Sequence, residues 1–281
     1  MKVIPILRKY HYVTKVGIFL LAAALVSGMA GCDGYTPSED IEILDWYDLN
    51  AVRNNLGGNH ILMNNLDSTT AGYTELASPT ANQGKGWQPI GGEFSLFVGS
   101  FNGQGHEIRG LFINLPDEYW VGLFSTVDEK GAIENIGVVN ANVTGKYGVG
   151  SLTGFNGGTV SNSYSTGRVT GESTAGGLVG QSRGTVNDSY SVSSVTGSTS
   201  VGGLLGVNWG IVSNSFWDIE TSGQATSAGG TGKNTTEMKD IATFSGAGWN
   251  IIEVGGPGAR NPAYIWNIVN GLTYPFLSWQ S

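Results

Sequence analysis

Residues able to do chemistry are sparse in this sequence. Among 281 residues there is one cysteine, Cys32, and three histidines, His11, His60 and His106. "HEIRG", starting at His106, begins as a zinc-peptidase helix does, but the second histidine required four residues on is replaced by Gly110. "GGTGKN" around Lys233 resembles a phosphate-binding loop, which needs Gly at position 227 and Ser or Thr at position 234. Ser227 and Asn234 stand there instead, so no nucleotide is expected. No histidine pair and no Ser-His-Asp set can be assembled from neighbouring positions, and the expectation is a protein without catalysis.

Two groupings could bind instead. Glu107, Arg109, Asp117, Glu118, Asp128, Glu129 and Glu134 concentrate charge in one stretch, and Asp117, Glu118, Asp128 and Glu129 offer the hard oxygen ligands that calcium takes. Their plainer reading is solvated turn charge. If the acidic stretch acted on a substrate, a polysaccharide-degrading enzyme would be the alternative function. The second grouping is aromatic. Tyr164, Tyr190 and Phe216 recur at one fixed interval, and Trp209 occupies a turn position filled by Gly157 and Arg183 in the preceding repeats. Facing solvent, such a column would stack sugar rings; facing inward, or lying beneath the C-terminal segment, it is packing.

The interval decides what must position these residues. Leu152, Leu178 and Leu204 are 26 apart, as are Gly154, Gly180 and Gly206, then Val160, Val186 and Val212, then Ser163, Ser189 and Ser215. A fixed period in many columns marks a stacked repeat architecture. Each unit holds three short β-suited pieces separated by Gly or Ser, with no run at helical period. Three strands of about five residues in each coil give an all-β, parallel β-solenoid (β-helix). Successive coils should be one strand spacing, about 4.8 Å, apart. A single coil cannot recover the entropy of ordering its own residues, so only the stack is stable. The column Asn135, Asn162, Asp188 and Asn214 is expected to be a hydrogen-bonded corner ladder.

"GGLVGQSRGTVNDSYSVSSVTG" and "GGLLGVNWGIVSNSF" resemble the GLUG motif of bacterial cell-surface and adhesin-like proteins and of some immunoglobulin A peptidases. The likeness continues through "GWQPIG", "SFNGQGHEIRGLFIN" and "VGLFSTV", and on through "FWDIETSGQATSAGGTGKNTTEM", with Ser151 as a departure from the motif's second Gly. It implies a solenoid at the cell surface, and the peptidase activity of some relatives is not carried over.

Solenoid ends expose strand edges and call for caps. "DWYDLNAVRNNLGG" supplies one over 41–58, with Asp45 as N-cap, apolar Trp46, Leu49, Val52 and Leu56, and Gly57 as the stop. The solenoid is then expected over 59–223, most regular over 147–223, starting with "HILMNNLDS". A C-terminal cap is expected over 224–281, with Asn234 and Glu237 spaced as a capping box that opens a short helix.

Residues 1–31 read as an export signal: Lys2, Arg8, Lys9 and Lys15, then one short apolar run. The signal ends in "SGMAGC", which resembles a bacterial lipoprotein signal and implies that Cys32 carries the lipid, followed by a short linker over 32–40. That resemblance implies a membrane partner and an envelope address, with Asp33 favouring inner-membrane retention under enteric-type sorting. The chain has 14 basic and 22 acidic residues, net −8; without the four signal cations it has 10 against 22, net −12. So acidic a protein is a poor partner for nucleic acid. The reading is a lipid-anchored envelope module that binds a glycan or a surface protein, with a passive scaffold as the blandest alternative.

Overall fold

The computed structural model describes residues 40–279. Cys32, the signal and nearly all of the linker lie outside the described residues. The coils wrap three parallel sheets. The first runs through Ile41–Ile43, Asn59–Leu62, Ser100–Asn102, Ala132–Glu134, Thr159–Ser161, Thr185–Asn187 and Ile211–Ser213. The second stacks Glu107–Arg109, Gly137–Val149, Tyr164–Gly176, Tyr190–Thr196, Phe216–Asp218 and Thr231–Lys233, with Phe112–Val121 and Ser200–Gly202 pairing onto its longest strands. The third contains Phe124–Val127, Thr153–Asn156, Val179–Ser182 and Leu205–Asn208. The chain is a parallel β-solenoid.

The 26-residue columns are physical columns. Val160 pairs with Ile133 below and Val186 above, and Val186 pairs with Val212. Phe101, Ile133, Val160 and Val186 are all 0% exposed, and burying each is worth about 1.5–3 kcal/mol. The leucine corner is likewise in register, with Leu152 N–H donating to Leu178 O and Leu178 N–H to Leu204 O, both at 3.0 Å.

Corners explain the repeating Asn and Asp. Asn135, Asn162, Asp188 and Asn214 have φ of 55°, 45°, 48° and 47°. That left-handed region penalises most side chains but tolerates Asn and Asp. Asn214 Nδ2 donates to Asp188 Oδ1 at 3.2 Å, and Asn187 Nδ2 to Asp188 Oδ2 at 3.0 Å. At another corner, Gly158, Gly184 and Gly210 stack backbone on backbone. A Cβ on Gly184 would sit 1.9 Å from Gly158 O, so no larger residue fits without separating the coils.

The expected strands of about five residues are three or four residues long in the first and third sheets and much longer in parts of the second. Gly137–Val149 and Tyr164–Gly176 each run 13 residues around a corner. Their pairing persists through a register shift between Gly171 and Thr174, where Gly171 has no side chain to oppose the bend.

The N-terminal segment differs from the expected helix over 41–58. Ile41–Ile43 is a strand paired in parallel with Asn59–Leu62, so the solenoid starts earlier than 59. The helix is confined to Trp46–Ala51, where Asp45 Oδ1 accepts from Tyr47 N–H at 2.8 Å and Asp48 N–H at 3.0 Å. Trp46, 0% exposed, closes this end and donates its Nε1–H to Asp67 O at 3.0 Å.

At the other end, Thr231–Lys233 pairs onto Phe216–Asp218. Asn234 and Glu237 form a reciprocal capping box: Glu237 N–H donates to Asn234 Oδ1 at 2.9 Å, and Asn234 N–H to Glu237 Oε2 at 3.0 Å. The helix expected there is split. A 3-10 turn, Glu237–Lys239, stops at Asp240, whose extended backbone and side chain then cap Ile241–Ser245. Ile251–Glu253, Trp266–Ile268 and Phe276–Leu277 form a separate three-stranded sheet.

Candidate functional site

Of the two readings of the aromatic column, the structure shows packing beneath the C-terminal segment and not a solvent-facing sugar platform: the column is a second hydrophobic core. Tyr164, Tyr190 and Phe216 are stacked by strand register but are 4%, 1% and 5% exposed. Met238, Phe244, Trp249, Ile251 and Trp266 of the C-terminal segment cover them. The Tyr164 and Tyr190 rings stack at 5.1 Å and 7°, and Tyr190 donates its hydroxyl to Pro275 O at 2.5 Å. Burial, with the nearby Glu107 and Tyr274 charges, pushes the Tyr190 phenol well above its usual pKa. Three stacked rings in water would present more apolar area than their coils can cover, and the aromatic C-terminal strands bury it.

The same column absorbs part of the acidic stretch. Gly137 separates Glu107 from Tyr164 in the register. The Tyr164 ring lies over that glycine, where a Cβ would come within 2.5 Å of its Cζ, and the hydroxyl reaches down to donate to Glu107 Oε1. Arg109 Nε donates to the other carboxylate oxygen. Glu107, 8% exposed, is therefore committed to holding the fold.

The remaining acids are scattered. Asp117 and Glu118 are exposed where Phe112–Val121 skips register between Leu115 and Tyr119. Asp128 lies in the turn after Phe124–Val127, accepting from Lys130 N–H at 3.2 Å, with Glu129 exposed beside it. Among the described residues no three His, Cys, Asp or Glu side chains come together to hold a metal, so these four are not gathered into the calcium site that their types would allow. Of the two discarded lookalikes, Glu107–Arg109 is a strand, and Lys233 ends a strand and pairs with Glu237 at 3.2 Å.

A different surface gathers two exposed rings, Tyr119 and Trp209, and two half-buried ones, Trp120 and Phe155. The backbone N–H groups of Gly157, Arg183 and Trp209 donate to Val127 O, Asn156 O and Ser182 O, each at 2.8 Å, so these turn residues are stacked coil on coil. Trp209 is 58% exposed, and the Arg183 guanidinium lies 5.4 Å from its ring and 5.9 Å from that of Phe155. Phe155 meets Trp120 edge-on at 6.0 Å. Beside Trp120, Tyr119 is 55% exposed, with Tyr147 at 5.9 Å and the Lys146 ammonium at 5.8 Å from its ring. The strip opens here into a cleft of about 580 Å³ lined by Gly92, Glu93, Glu118, Tyr119, Trp120, Ser125 and Tyr147. A smaller one of about 270 Å³ adjoins it and adds Lys85, Gln88 and Pro89.

Trp120 is the strained member. Its φ of 53° puts a bulky residue in the left-handed region, at a cost of about 1–3 kcal/mol, and such strain clusters at binding sites. Its indole Nε1 is buried without a hydrogen-bond partner. Of this strip the sequence reading singled out Trp209 and, for another purpose, Glu118. Tyr119, Trp120 and Tyr147 escaped it because Tyr119 and Tyr147 pair 28 positions apart, across an irregularity in the 26-residue period, and Phe155 because Gln181 and Val207 follow it in its column, so no ring repeats there. The signal available was "EYW" and "KYG" at places where the repeat fails.

No protein-family model matches the chain. Over 119 residues, 41% of this chain, it is 37% identical to a protein of Evansella cellulosilytica named "Putative Gly-rich membrane protein". Over 137 residues, 47% of the chain, it is 35% identical to Halomucin of Haloquadratum walsbyi. The chain spans only 13% and 2% of the length of these curated relatives. A solved structure of a "putative immunoglobulin A1 protease" from Bacteroides ovatus matches with a TM-score of 0.53 and 24% identity, over 65% of this chain and 58% of that one. That likeness supports the fold.

Proposed function

We propose that this protein is a non-catalytic binding module of the bacterial envelope, anchored through lipid on Cys32, that holds a glycan on the strip from Tyr119 to Trp209. One observation carries the reading: the exposed rings of Tyr119 and Trp209 and the half-buried rings of Trp120 and Phe155 adjoin one another along the stacked coils, interleaved with Arg183. Exposed aromatic platforms with flanking hydrogen-bond donors suit the apolar faces and hydroxyl rims of sugars. The membrane-protein and Halomucin names of the relatives support an envelope setting, and the GLUG resemblance adds a surface-displayed, adhesin-like role.

The test is a glycan array probed with the mature protein and with Trp209→Ala. Trp209 touches solvent more than core, so the variant should keep the circular dichroism and unfolding midpoint of the parent while its array signal falls. A folded parent that binds no glycan would sink the proposal. A second reading, polysaccharide degradation, is favoured by one observation, that Glu93 and Glu118 line the same cleft. It predicts shortened products from a polysaccharide panel, lost in Glu118→Gln.

A further inference from the structure

We infer that the ligand of this strip is a linear, uncharged polysaccharide lying lengthwise along the solenoid axis, about one sugar to each coil. The inference rests on the glycan reading above and fixes what that reading leaves open, the orientation, length and charge class of the ligand.

Orientation follows from where the strip obtains its side chains. Each coil contributes one of these side chains: Arg183 and Trp209 stand over Gly157 at one corner, Phe155 lies two residues before that corner in the column of Thr126 and Gln181, and Trp120 lies one coil lower, opposite Gly148. The resulting steps, 6.0 Å from Trp120 to Phe155, 5.9 Å on to Arg183 and 5.4 Å on to Trp209, each climb one coil, the first two also crossing toward the corner. A glycan crossing the corner sideways meets one coil's side chain and no more. One climbing the solenoid coil by coil, slightly oblique to the axis, meets all of them, because a hexose in an extended chain advances by nearly the same length as a strand spacing of about 4.8 Å. From the cleft at Trp120 to Trp209 is three such spacings, about 14 Å, which seats four sugars.

Charge favours a neutral chain over a polyanion. The strip and its cleft carry Lys85, Lys146 and Arg183 against Glu93 and Glu118, a nearly balanced set. Among the described residues the ion pairs are Arg109 with Glu107 and Lys233 with Glu237, so none of these five is paired within the protein. Without its four signal cations the chain has 10 basic against 22 acidic residues, net −12, and repels acidic chains. Balanced, unpaired donors and acceptors suit hydroxyl groups: Arg183 donates through its guanidinium, and the two carboxylates accept.

The test is calorimetric titration of the mature protein with gluco-, manno-, xylo- and N-acetylglucosaminyl oligosaccharides, each from the monosaccharide to the hexasaccharide, with oligogalacturonates as the charged series. At least one neutral series should gain roughly tenfold in affinity from disaccharide to tetrasaccharide and then plateau. Trp209→Ala should remove most of that gain and leave the disaccharide unchanged, and Trp209→Phe should restore part of it. Affinity that does not grow with length overturns the lengthwise placement while leaving the glycan reading in force. So does a Trp209→Ala loss equal for disaccharide and tetrasaccharide, and tighter binding of the oligogalacturonates overturns the uncharged class. Binding by no series at all overturns the inference and the glycan reading together.

Discussion

Asp218→Ala should unfasten the C-terminal cap. The carboxylate is 0% exposed and fully subscribed: Oδ1 accepts from Glu220 N–H at 2.9 Å and Thr221 N–H at 3.0 Å. Oδ2 accepts from the hydroxyls of Thr235 and Tyr274, each at 2.7 Å. Alanine removes an N-cap, worth about 0.5–2 kcal/mol. It also strands two hydroxyls at about 1–3 kcal/mol each if they stay dry. Thr235 and Tyr274 are only half-buried and can turn toward water, which holds the total to about 2–4 kcal/mol. Asparagine in place of Asp218 keeps the cap and lets both hydroxyls accept, so Asp218→Asn should lose only about 1 kcal/mol of charge assistance. Urea unfolding at neutral pH reads both numbers, and amide exchange should rise first in Ile251–Glu253 and Trp266–Ile268.

The pH dependence of the same residue has a definite sign. Burial works to raise the Asp218 pKa, but the hydrogen bonds from Thr221, Thr235 and Tyr274 outweigh it, and the net value lies below the usual carboxylate range. A depressed folded pKa gives stability that is complete above the unfolded value of about 3.9 and is lost as pH falls through the folded one. The parent should therefore lose more stability than Asp218→Asn in acid below about pH 4. An Asp218→Ala midpoint equal to that of the parent would refute the latch.

Two further perturbations follow from the coil. Gly184→Ala drives a methyl into Gly158 O and should cost about 1–3 kcal/mol in urea unfolding, whereas Gly223→Ala, with nothing near its Cβ, pays only for its φ of 68°. His60 is 1% exposed, and its pKa is lowered by burial despite the opposing bond from its ring to Asn55 O. Its contribution is complete above the unfolded pKa of about 6.5 and is lost as pH falls through the lower folded one, so His60→Gln should flatten stability across mildly acidic pH.

Where each coil must solve the same problem, the sequence is explicit. Leu152, Leu178 and Leu204, the Val160 column and the left-handed Asn162, Asp188 and Asn214 repeat because every corner and every inward position imposes the same demand. Ile41–Ile43 was hidden because three residues beside a helix carry no period of their own, and only pairing with Asn59–Leu62 makes them a strand. Periodicity places Tyr164, Tyr190 and Phe216 in one column, yet what covers that column comes from Phe244, Trp249 and Trp266, outside the repeat. The surplus of rings in "YIWNIVNGLTYPFLSW", more than its short strands can bury among themselves, was the clue. Of the strip proposed to bind glycan, only the corner of Trp209 was legible, because the end at Tyr119 and Tyr147 is built where the period breaks.

The central claim is that sugar occupies the strip and no other surface. The direct measurement is ¹⁹F NMR of the mature protein labelled with fluorotryptophan, its eight tryptophans assigned by single substitution, during titration with a glycan that binds on the array. Trp120 and Trp209 should shift together and saturate at one concentration, while Trp46, Trp87 and Trp266, each at most 1% exposed, stay fixed. A shift confined to Trp279, or saturation that leaves Trp120 and Trp209 unmoved, would contradict it.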